Sequence, residues 1–126
     1  MKSFLLAIAI AMALILGGFL YSNNLVQESE HLSYLNRNII ASLEKENYDK
    51  AQTQINELTR QVEEFKVFFL ATDNHIEIDN IKLNLSELQA FTENEMQGDA
   101  LAKAKVLEFL FSHLPENTEL KLGNIF

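Results

Sequence analysis

The sequence is poor in the residues that stiffen or bend a chain. Its 126 residues include no cysteine, one proline and four glycines. Without cysteine there are no disulfides, thiol nucleophiles or cysteine metal sites. So few turn-forming residues argue against a β-rich fold with many tight turns. Basic residues are also scarce, 10 against 18 acidic for a net charge of −8. An acidic surface repels nucleic acid, so we expect no nucleic-acid partner.

Charged side chains are missing altogether from residues 4–21, FLLAIAIAMALILGGFLY. A helix of this length spans about 27 Å, close to the hydrocarbon thickness of a bilayer. A cleaved signal peptide has a shorter apolar core followed by small residues at its cleavage site. Phe19, Leu20 and Tyr21 are bulky instead, which favours a retained anchor. We expect a transmembrane signal-anchor at residues 1–22 and a helical domain at residues 23–126.

The charges that flank the apolar run predict its orientation. Lys2 precedes the run, and the first basic residue after it is Arg37. The positive-inside rule then places the amino terminus in the cytoplasm and the carboxyl-terminal domain outside. The sequence therefore predicts a single-pass protein of the cytoplasmic membrane, with an extracytoplasmic domain and too few cytoplasmic residues for a second one.

Beyond the anchor, apolar residues recur every three or four positions in four stretches, which predicts four amphipathic helices. Short links between helices favour antiparallel neighbours. We therefore expect an all-α fold, in which a single N-terminal transmembrane helix precedes an antiparallel four-helix bundle, or two helical hairpins. Whether the first bundle helix continues from the anchor is open. The apolar stripes include Leu32, Leu35, Ile39 and Leu43; Ala51, Ile55, Leu58, Val62 and Phe65; Ile78, Ile81, Leu85 and Leu88; and Leu101, Ala104, Leu107, Phe111 and Leu114.

The helices are expected to begin or end at four sites. Glu46 and Asn47 are expected to close the first helix, since asparagine tolerates the left-handed conformation, and Asp73 with Asn74 suits a helix start. Gly98 and Asp99 are expected to end the third helix and begin the fourth, and Pro115 to stop the fourth. Residues 47–51 weakly resemble residues 98–102. Their offset of 51 does not match the 34-residue period of tetratricopeptide repeats, which favours convergent use of turn residues.

The best candidates for chemistry are His75, Glu77 and Asp79, three potential ligands within five residues. An antiparallel return of the fourth helix brings His113 towards them. Together these side chains suit a divalent cation. The simpler interpretation is helix-end electrostatics, since acidic residues stabilise a first turn and histidine a last one. Helical spacing also sends Glu77 to a different face from His75 and Asp79. We expect no catalytic set and no cofactor.

Two further groups of apolar residues have alternative interpretations. The tail at residues 120–126 is apolar, and we expect it to pack onto the bundle; the alternative is a docking peptide for a partner. The aromatic residues are expected to form the core, with a lipid or ligand pocket as the alternative. These aromatic residues are Phe65, Phe68, Phe69, Phe91, Phe109 and Phe111.

Four short motifs follow the apolar run in order: NYDKA at residues 47–51, HIEIDNI at 75–81, HLP at 113–115 and LKLGNIF at 120–126. In this order and spacing the chain resembles a family of bacterial membrane proteins known as domain of unknown function 4363. The resemblance implies a single-span envelope protein with a helical outer domain and no known reaction. His75, Glu77, Asp79 and His113 fall within the motifs.

These observations favour a non-enzymatic, membrane-tethered module that interacts with another membrane or envelope protein. One alternative is an extracytoplasmic ligand-binding or sensory domain that works through a partner. A second is a metal site at the end of the bundle that carries His75, Glu77, Asp79 and His113.

Overall fold

In the computed structural model, the backbone is described at residues 1–69 and 75–125, and the side chains at residues 1–20, 26–65 and 77–114. This part of the chain forms four α-helices and no strand, as the sequence predicts. The helices are α1 (Lys2–Glu44), α2 (Tyr48–Phe69), α3 (His75–Glu93) and α4 (Gln97–Ile125). Asp73 and Asn74, expected to begin the third helix, lie outside the described residues.

The helices form an antiparallel bundle in which each packs against two others. α1 contacts α2 and α4, and α3 contacts the same two helices. We call the bundle part of α1 with α2 hairpin A, and α3 with α4 hairpin B. The apolar stripes predicted from the sequence meet in the centre of the bundle. The largest fully buried members are Phe111, Leu32, Ile39, Leu43, Ile55, Leu58, Ile81, Leu88, Leu107, Leu114 and Val62.

α1 is one continuous helix of 43 residues, which answers the question that the sequence left open. Its segment Lys2–Leu20 has a mean hydropathy of 2.5, is apolar and long enough to cross a membrane, and lies near the amino terminus. Every side chain in residues 1–20 is exposed, whereas Leu32, Ile39 and Leu43 are buried. The apolar segment therefore projects from the bundle as an extension of a bundle helix.

The two hairpins repeat the same turn with an offset of 49 residues. Glu46 and Glu95 both adopt the left-handed conformation, with φ of 57° and 54°. The amide of Glu46 donates to the carbonyl of Leu43 (3.0 Å), and that of Glu95 donates to Thr92 (3.1 Å). The next amide of each turn donates five residues back, in the pattern of a Schellman motif. The same short turn therefore joins α1 to α2 and α3 to α4.

The repeat extends through the core. Among the described side chains, every buried apolar residue of α2 has a buried counterpart 49 positions later in α4: Ala51 and Ala100, Ile55 and Ala104, Leu58 and Leu107, Val62 and Phe111, Phe65 and Leu114. In α1 the buried positions 29, 32, 36, 39 and 43 correspond to buried positions 78, 81, 85, 88 and 92 of α3. The resemblance sought at an offset of 51 thus lies at 49, and it covers whole hairpins rather than turn residues.

Pro115 does not stop the fourth helix, because α4 continues to Ile125. Proline has no N–H, so the helical hydrogen bond to the carbonyl of Phe111, four residues earlier, is missing. The hydroxyl of Ser29 on α1 donates to this carbonyl instead. A neighbouring helix therefore satisfies the backbone group that the proline leaves without a donor.

The break between α1 and α2 lies at Glu46 and Asn47, as predicted, but Glu46 instead of Asn47 adopts the left-handed conformation. Asn47 precedes α2 and accepts a hydrogen bond from the amide of Lys50 (3.3 Å). The predicted break at Gly98 and Asp99 is wrong, because α3 ends at Glu93 and Gly98 lies in the first turn of α4 without a positive φ. In both hairpins a glutamate takes the strained position, although glycine adopts it more readily.

Candidate functional site

The predicted metal ligands lie at one end of hairpin B, and those whose side chains are described differ in their solvent exposure. Asp79 is exposed, whereas Glu77 and His113 are partly buried. The side chain of His75 lies outside the described residues. Among the side chains that are described, there is no group of three or more potential ligands that could hold a metal ion. The metal site therefore stays a prediction, and the described geometry adds nothing to it.

His113 is engaged within its own helix. Its Nδ1 lies 2.9 Å from the carbonyl oxygen of Phe109 and 3.1 Å from the hydroxyl of Ser112. Its ring lies against the ring of Phe109, with the centroids 4.1 Å apart. A protonated Nδ1 donates to the carbonyl in this arrangement. The imidazole thus extends the surface of Phe109.

Phe109 is exposed, contrary to the expectation that the aromatic residues form the core. Phe65 and Phe111 are buried and Phe91 packs against the core, but 60 % of Phe109 is accessible. The side chains of Phe68 and Phe69 lie outside the described residues. Phe109 lies two positions after Leu107 and two positions before Phe111. Two residues correspond to a rotation of about 200° around the helix, so Phe109 lies on the side opposite to both. That spacing, read strictly, separates Phe109 from the core.

Phe109 belongs to a longer exposed surface, which we call the hairpin B face. The ion pair between Lys103 of α4 and Glu87 of α3 (2.8 Å) shows which residues of the two helices lie opposite each other. One helical turn further along both helices, Leu83 is therefore level with Leu107, between Val106 and Phe109. Leu83 and Val106 are 58 % and 41 % exposed. The face comprises Leu83, Ala102, Val106, Phe109 and His113, the last four of which recur at helical spacing along α4.

The repeat shows what the corresponding surface of hairpin A carries. Val106, Phe109 and His113 correspond to Glu57, Arg60 and Glu64 of α2. Arg60 bridges both carboxylates at 2.6 Å. The three side chains form a charged, solvent-exposed surface on α2. Two hairpins with the same core thus differ on the outside, where ion pairs in one are replaced by apolar and aromatic side chains in the other.

The ion pairs on α2 alter the titration of their members. Hydrogen bonds from Arg60 and Gln61 lower the pKa of Glu57. The hydrogen bond between Arg60 and Glu57 also raises the pKa of Arg60. These groups are largely exposed, so water screens the interaction. This surface is suited to solvation, in contrast with the hairpin B face.

Most of the hairpin B face lies in the half of the bundle nearer the apolar segment. Three hydrogen bonds show which residues of α4 lie opposite which residues of α1. They run from Ser29 to Phe111, from Asn36 to Ala104 and from Gln97 to Leu43. By this register His113 is level with position 27 and Ala102 with position 38. The face therefore begins about 10 Å beyond Leu20 and ends about 27 Å beyond it.

Two open clefts also lie on the described surface. One of about 220 Å³ lies between α2 and α3 beside the ion pair of Lys82 with Glu63. The other, of about 290 Å³, lies near the turn of hairpin A and is polar. Its two lysines, Lys45 and Lys50, are exposed, so they offer an anion a screened charge rather than a dry site. The lining of the second cleft is Asn38, Ala41, Ser42, Lys45, Asn47, Lys50 and Gln54.

Comparison with protein families matches almost the whole chain to one family. Residues 19–125 match the family described as Domain of unknown function (DUF4363). The chain belongs to the DUF4363 family. The match begins at the end of the apolar segment and covers the bundle part of α1 and the other three helices, so a DUF4363 domain is a pair of helical hairpins in this chain. Comparisons with curated proteins and with solved structures gave no match.

Sequence reasoning singled out His113 as a metal ligand and Phe109 as core, and did not see them as one surface. A single helix shows only that both residues lie beside an apolar stripe. The missing signal is the comparison of α4 with α2 at an offset of 49, which aligns Phe109 with Arg60. A core position does not exchange phenylalanine for an ion-paired arginine, so this alignment identifies Phe109 as a surface residue.

Proposed function

We propose that this DUF4363 protein is a single-span membrane protein whose helical domain is a non-enzymatic interaction module. On this proposal Lys2–Leu20 is retained as the anchor, the amino terminus is cytoplasmic and the bundle lies outside. The apolar segment and its single preceding lysine support the tether and its orientation. The hairpin B face supports the interaction, because exposed apolar surface of this kind marks sites of association.

The proposed occupant of the hairpin B face is an amphipathic helix of another membrane-anchored protein. The exposed residues of α4 recur at steps of four and three, which is the spacing that accepts a parallel or antiparallel helix. α4 lies alongside α1, so a helix on this face also runs roughly along the direction of the anchor. Its height of about 10 to 27 Å beyond Leu20 matches the part of a membrane protein just outside the headgroups.

Charge favours a partner over a second copy. The residues beyond the apolar segment carry 9 basic and 18 acidic side chains, a net charge of −9, so two copies repel one another. Locally the edges of the face carry Lys103 and Lys105, on either side of Val106 around α4. A partner helix with an apolar stripe and carboxylates at its flanks complements this arrangement.

Photocrosslinking in native membranes tests the proposal. A photoreactive phenylalanine analogue is placed at Phe109 and, as the matched control, at Arg60, the equivalent position of hairpin A. We expect one adduct at position 109 and none at position 60. Peptide mapping of the adduct should identify a helix next to a transmembrane segment of another protein.

Three results contradict this proposal. Equal adducts at positions 60 and 109 show that the face is not selective. An adduct with a second copy of the chain replaces the proposed partner with a homodimer. Recovery of a shortened chain without Lys2–Leu20 shows that the apolar segment is a cleaved signal peptide.

A further inference from the structure

The 49-residue repeat makes the contact of α1 with α4 the counterpart of the contact of α3 with α2. Hydrogen bonds close the first contact: Asn36 of α1 donates to the carbonyl of Ala104 (2.7 Å) and to Oε2 of Glu108 (3.3 Å) on α4. The counterparts of Asn36 and Glu108 are Leu85 and Thr59. A leucine side chain forms no hydrogen bond, and the hydroxyl of Thr59 donates to a backbone carbonyl of its own helix (2.8 Å). The hydrogen bonds that close one interface therefore have no counterpart at this place in the other.

An open cleft of about 220 Å³ lies at this place between α2 and α3. Leu85 and Thr59 both line it, together with Val62, whose counterpart in α4 is the larger Phe111. Val62 and Leu85 are buried, so they form an apolar floor. The other lining residues are polar and less buried, and they are Thr59, Glu63, Lys82, Ser86 and Gln89. Small and apolar side chains thus leave a space that larger and hydrogen-bonded ones fill in the equivalent interface.

Contacts between α2 and α3 lie at both ends of the cleft. At one end Gln52 of α2 donates to the backbone carbonyl of Gln89 (3.2 Å). At the other end Lys82 of α3 pairs with Glu63 of α2 (2.6 Å). The two contacts lie about 16 Å apart along α2. They hold the two helices together on either side of the cleft, so the space between them is part of the fold.

The size and charge of the cleft select the kind of ligand. Pockets for drug-sized molecules have about 300–1,000 Å³, so a cleft of about 220 Å³ suits a smaller molecule. The charged residues in its lining are one lysine and one glutamate, Lys82 and Glu63, whose charges sum to zero. Their side chains are 33 % and 51 % exposed. An exposed ion pair contributes little to stability, so a ligand can separate it at small cost.

We propose that this cleft binds a small zwitterion with an apolar side chain, of which a branched-chain α-amino acid is the simplest example. The carboxylate of the ligand pairs with Lys82 and its ammonium group with Glu63. Its side chain lies on Val62 and Leu85. One exposed ion pair is replaced by two, and apolar surface is buried. The inference does not depend on the proposed partner helix, since the hairpin B face lies where α3 meets α4 and the cleft lies where α3 meets α2.

Methyl NMR of the full-length protein in phosphatidylcholine nanodiscs tests this inference. The chain has four valines, so valine-methyl labelling gives few signals. Val62 reports on the cleft, and Val106, on the hairpin B face, is the internal control. L-Leucine is titrated to about 10 mM, since a ligand of this size binds an open cleft with a Kd of about 1 mM. Isocaproate, which lacks the ammonium group, and isoamylamine, which lacks the carboxylate, are titrated in the same way.

The proposal predicts a saturable shift of the Val62 signals with L-leucine and none at Val106. Each partial analogue should bind about tenfold more weakly, because it keeps only one of the two charge-assisted contacts. Lys82→Gln and Glu63→Gln should weaken leucine binding by about the same factor. Lys103→Gln, which breaks the ion pair between α4 and α3, should leave it unchanged. The absence of a saturable shift at Val62, or equal binding of leucine and both analogues, would overturn the proposal.

Discussion

The hydroxyl of Ser29 donates a hydrogen bond to the carbonyl oxygen of Phe111, which Pro115 leaves without its helical donor. The two residues are 82 positions apart and lie on α1 and α4. Both are buried. The bond therefore compensates for a proline in the middle of a helix and links that helix to the one that bears the apolar segment.

Replacing Ser29 by alanine should leave the carbonyl of Phe111 buried without a donor. A buried acceptor that loses its partner costs about 1–3 kcal/mol, and we expect the free energy of unfolding to fall by that amount. Denaturant unfolding of the full-length protein in detergent micelles, followed by circular dichroism, measures the change. Ser33→Ala, at a buried serine one turn away, should have a smaller effect because it leaves this bond in place.

The same relationship predicts coupling between Ser29 and Pro115. In Pro115→Ala the amide of residue 115 supplies the helical donor, so the hydroxyl of Ser29 is no longer needed. Ser29→Ala should therefore cost less in the Pro115→Ala background, by about 0.5–3 kcal/mol in a double-mutant cycle. Additive effects of the two substitutions would show that the hydroxyl does not replace the missing amide.

Asn36 should be replaceable by leucine with a gain in stability. It is fully buried, and its Nδ2 donates to the carbonyl of Ala104 (2.7 Å) and to Oε2 of the partly buried Glu108 (3.3 Å), while its Oδ1 has no hydrogen-bond partner among the described residues. Its counterpart in hairpin B is Leu85. Since Ala104 keeps its helical donor, Asn36→Leu should raise the free energy of unfolding by about 1–3 kcal/mol.

Asn36→Ala provides the contrast, because it removes the same polar atoms but leaves a void that should be destabilising. A loss of stability in Asn36→Leu as large as in Asn36→Ala would show that the polar contact contributes net stability. If the leucine variant is stable but loses the unique pairing of α1 with α4, the asparagine specifies register.

The helices and their faces were predictable because apolar spacing is a local signal. The residues from Ala51 to Phe65 recur at steps of three and four, and the structure buries all of them. The turns were less predictable. Glycine and proline are usual breakers, but Gly98 and Pro115 both lie within α4. Pro115 is accommodated because Ser29, far away in the sequence, satisfies the carbonyl that it frees.

The candidate surface was not predictable from one helix at a time. Phe109 and Phe111 differ little in a count of apolar residues, yet one is exposed and the other is fully buried. The decisive contrast lies between Phe109 and Arg60, and it requires the two hairpins to be superposed by their common turn. The exact register of that turn depends on where Glu46 and Glu95 adopt a positive φ, which composition does not reveal.

The left-handed glutamates offer a stability test of the repeat. Glu46→Gly and Glu95→Gly should each stabilise the protein, by about 1 kcal/mol, because glycine takes a positive φ without the penalty that a side chain incurs. Ala41→Gly and Ala90→Gly, equivalent exposed positions within the last turns of α1 and α3, should destabilise it by about 1 kcal/mol. Thermal unfolding of the four variants gives the comparison, and gains of the same sign at all four positions would contradict it.

The ion pairs on α2 predict a pH dependence of defined sign. Hydrogen bonds from Arg60 and Gln61 hold the pKa of Glu57 in the folded state below its ordinary value of 4.5. A carboxyl whose folded pKa is lowered contributes stability above the unfolded pKa and loses it as the pH falls through the folded value. Glu57→Gln should therefore be less stable than the wild type at pH 7, and the difference should disappear as the pH falls below the folded pKa of Glu57. Glu44→Gln, at the exposed end of α1, makes the same change in net charge and serves as the control. The difference between the two variants should shrink in 1 M salt, since exposed charges are screened there. A difference that persists at low pH would assign the effect of Glu57 to packing instead of charge.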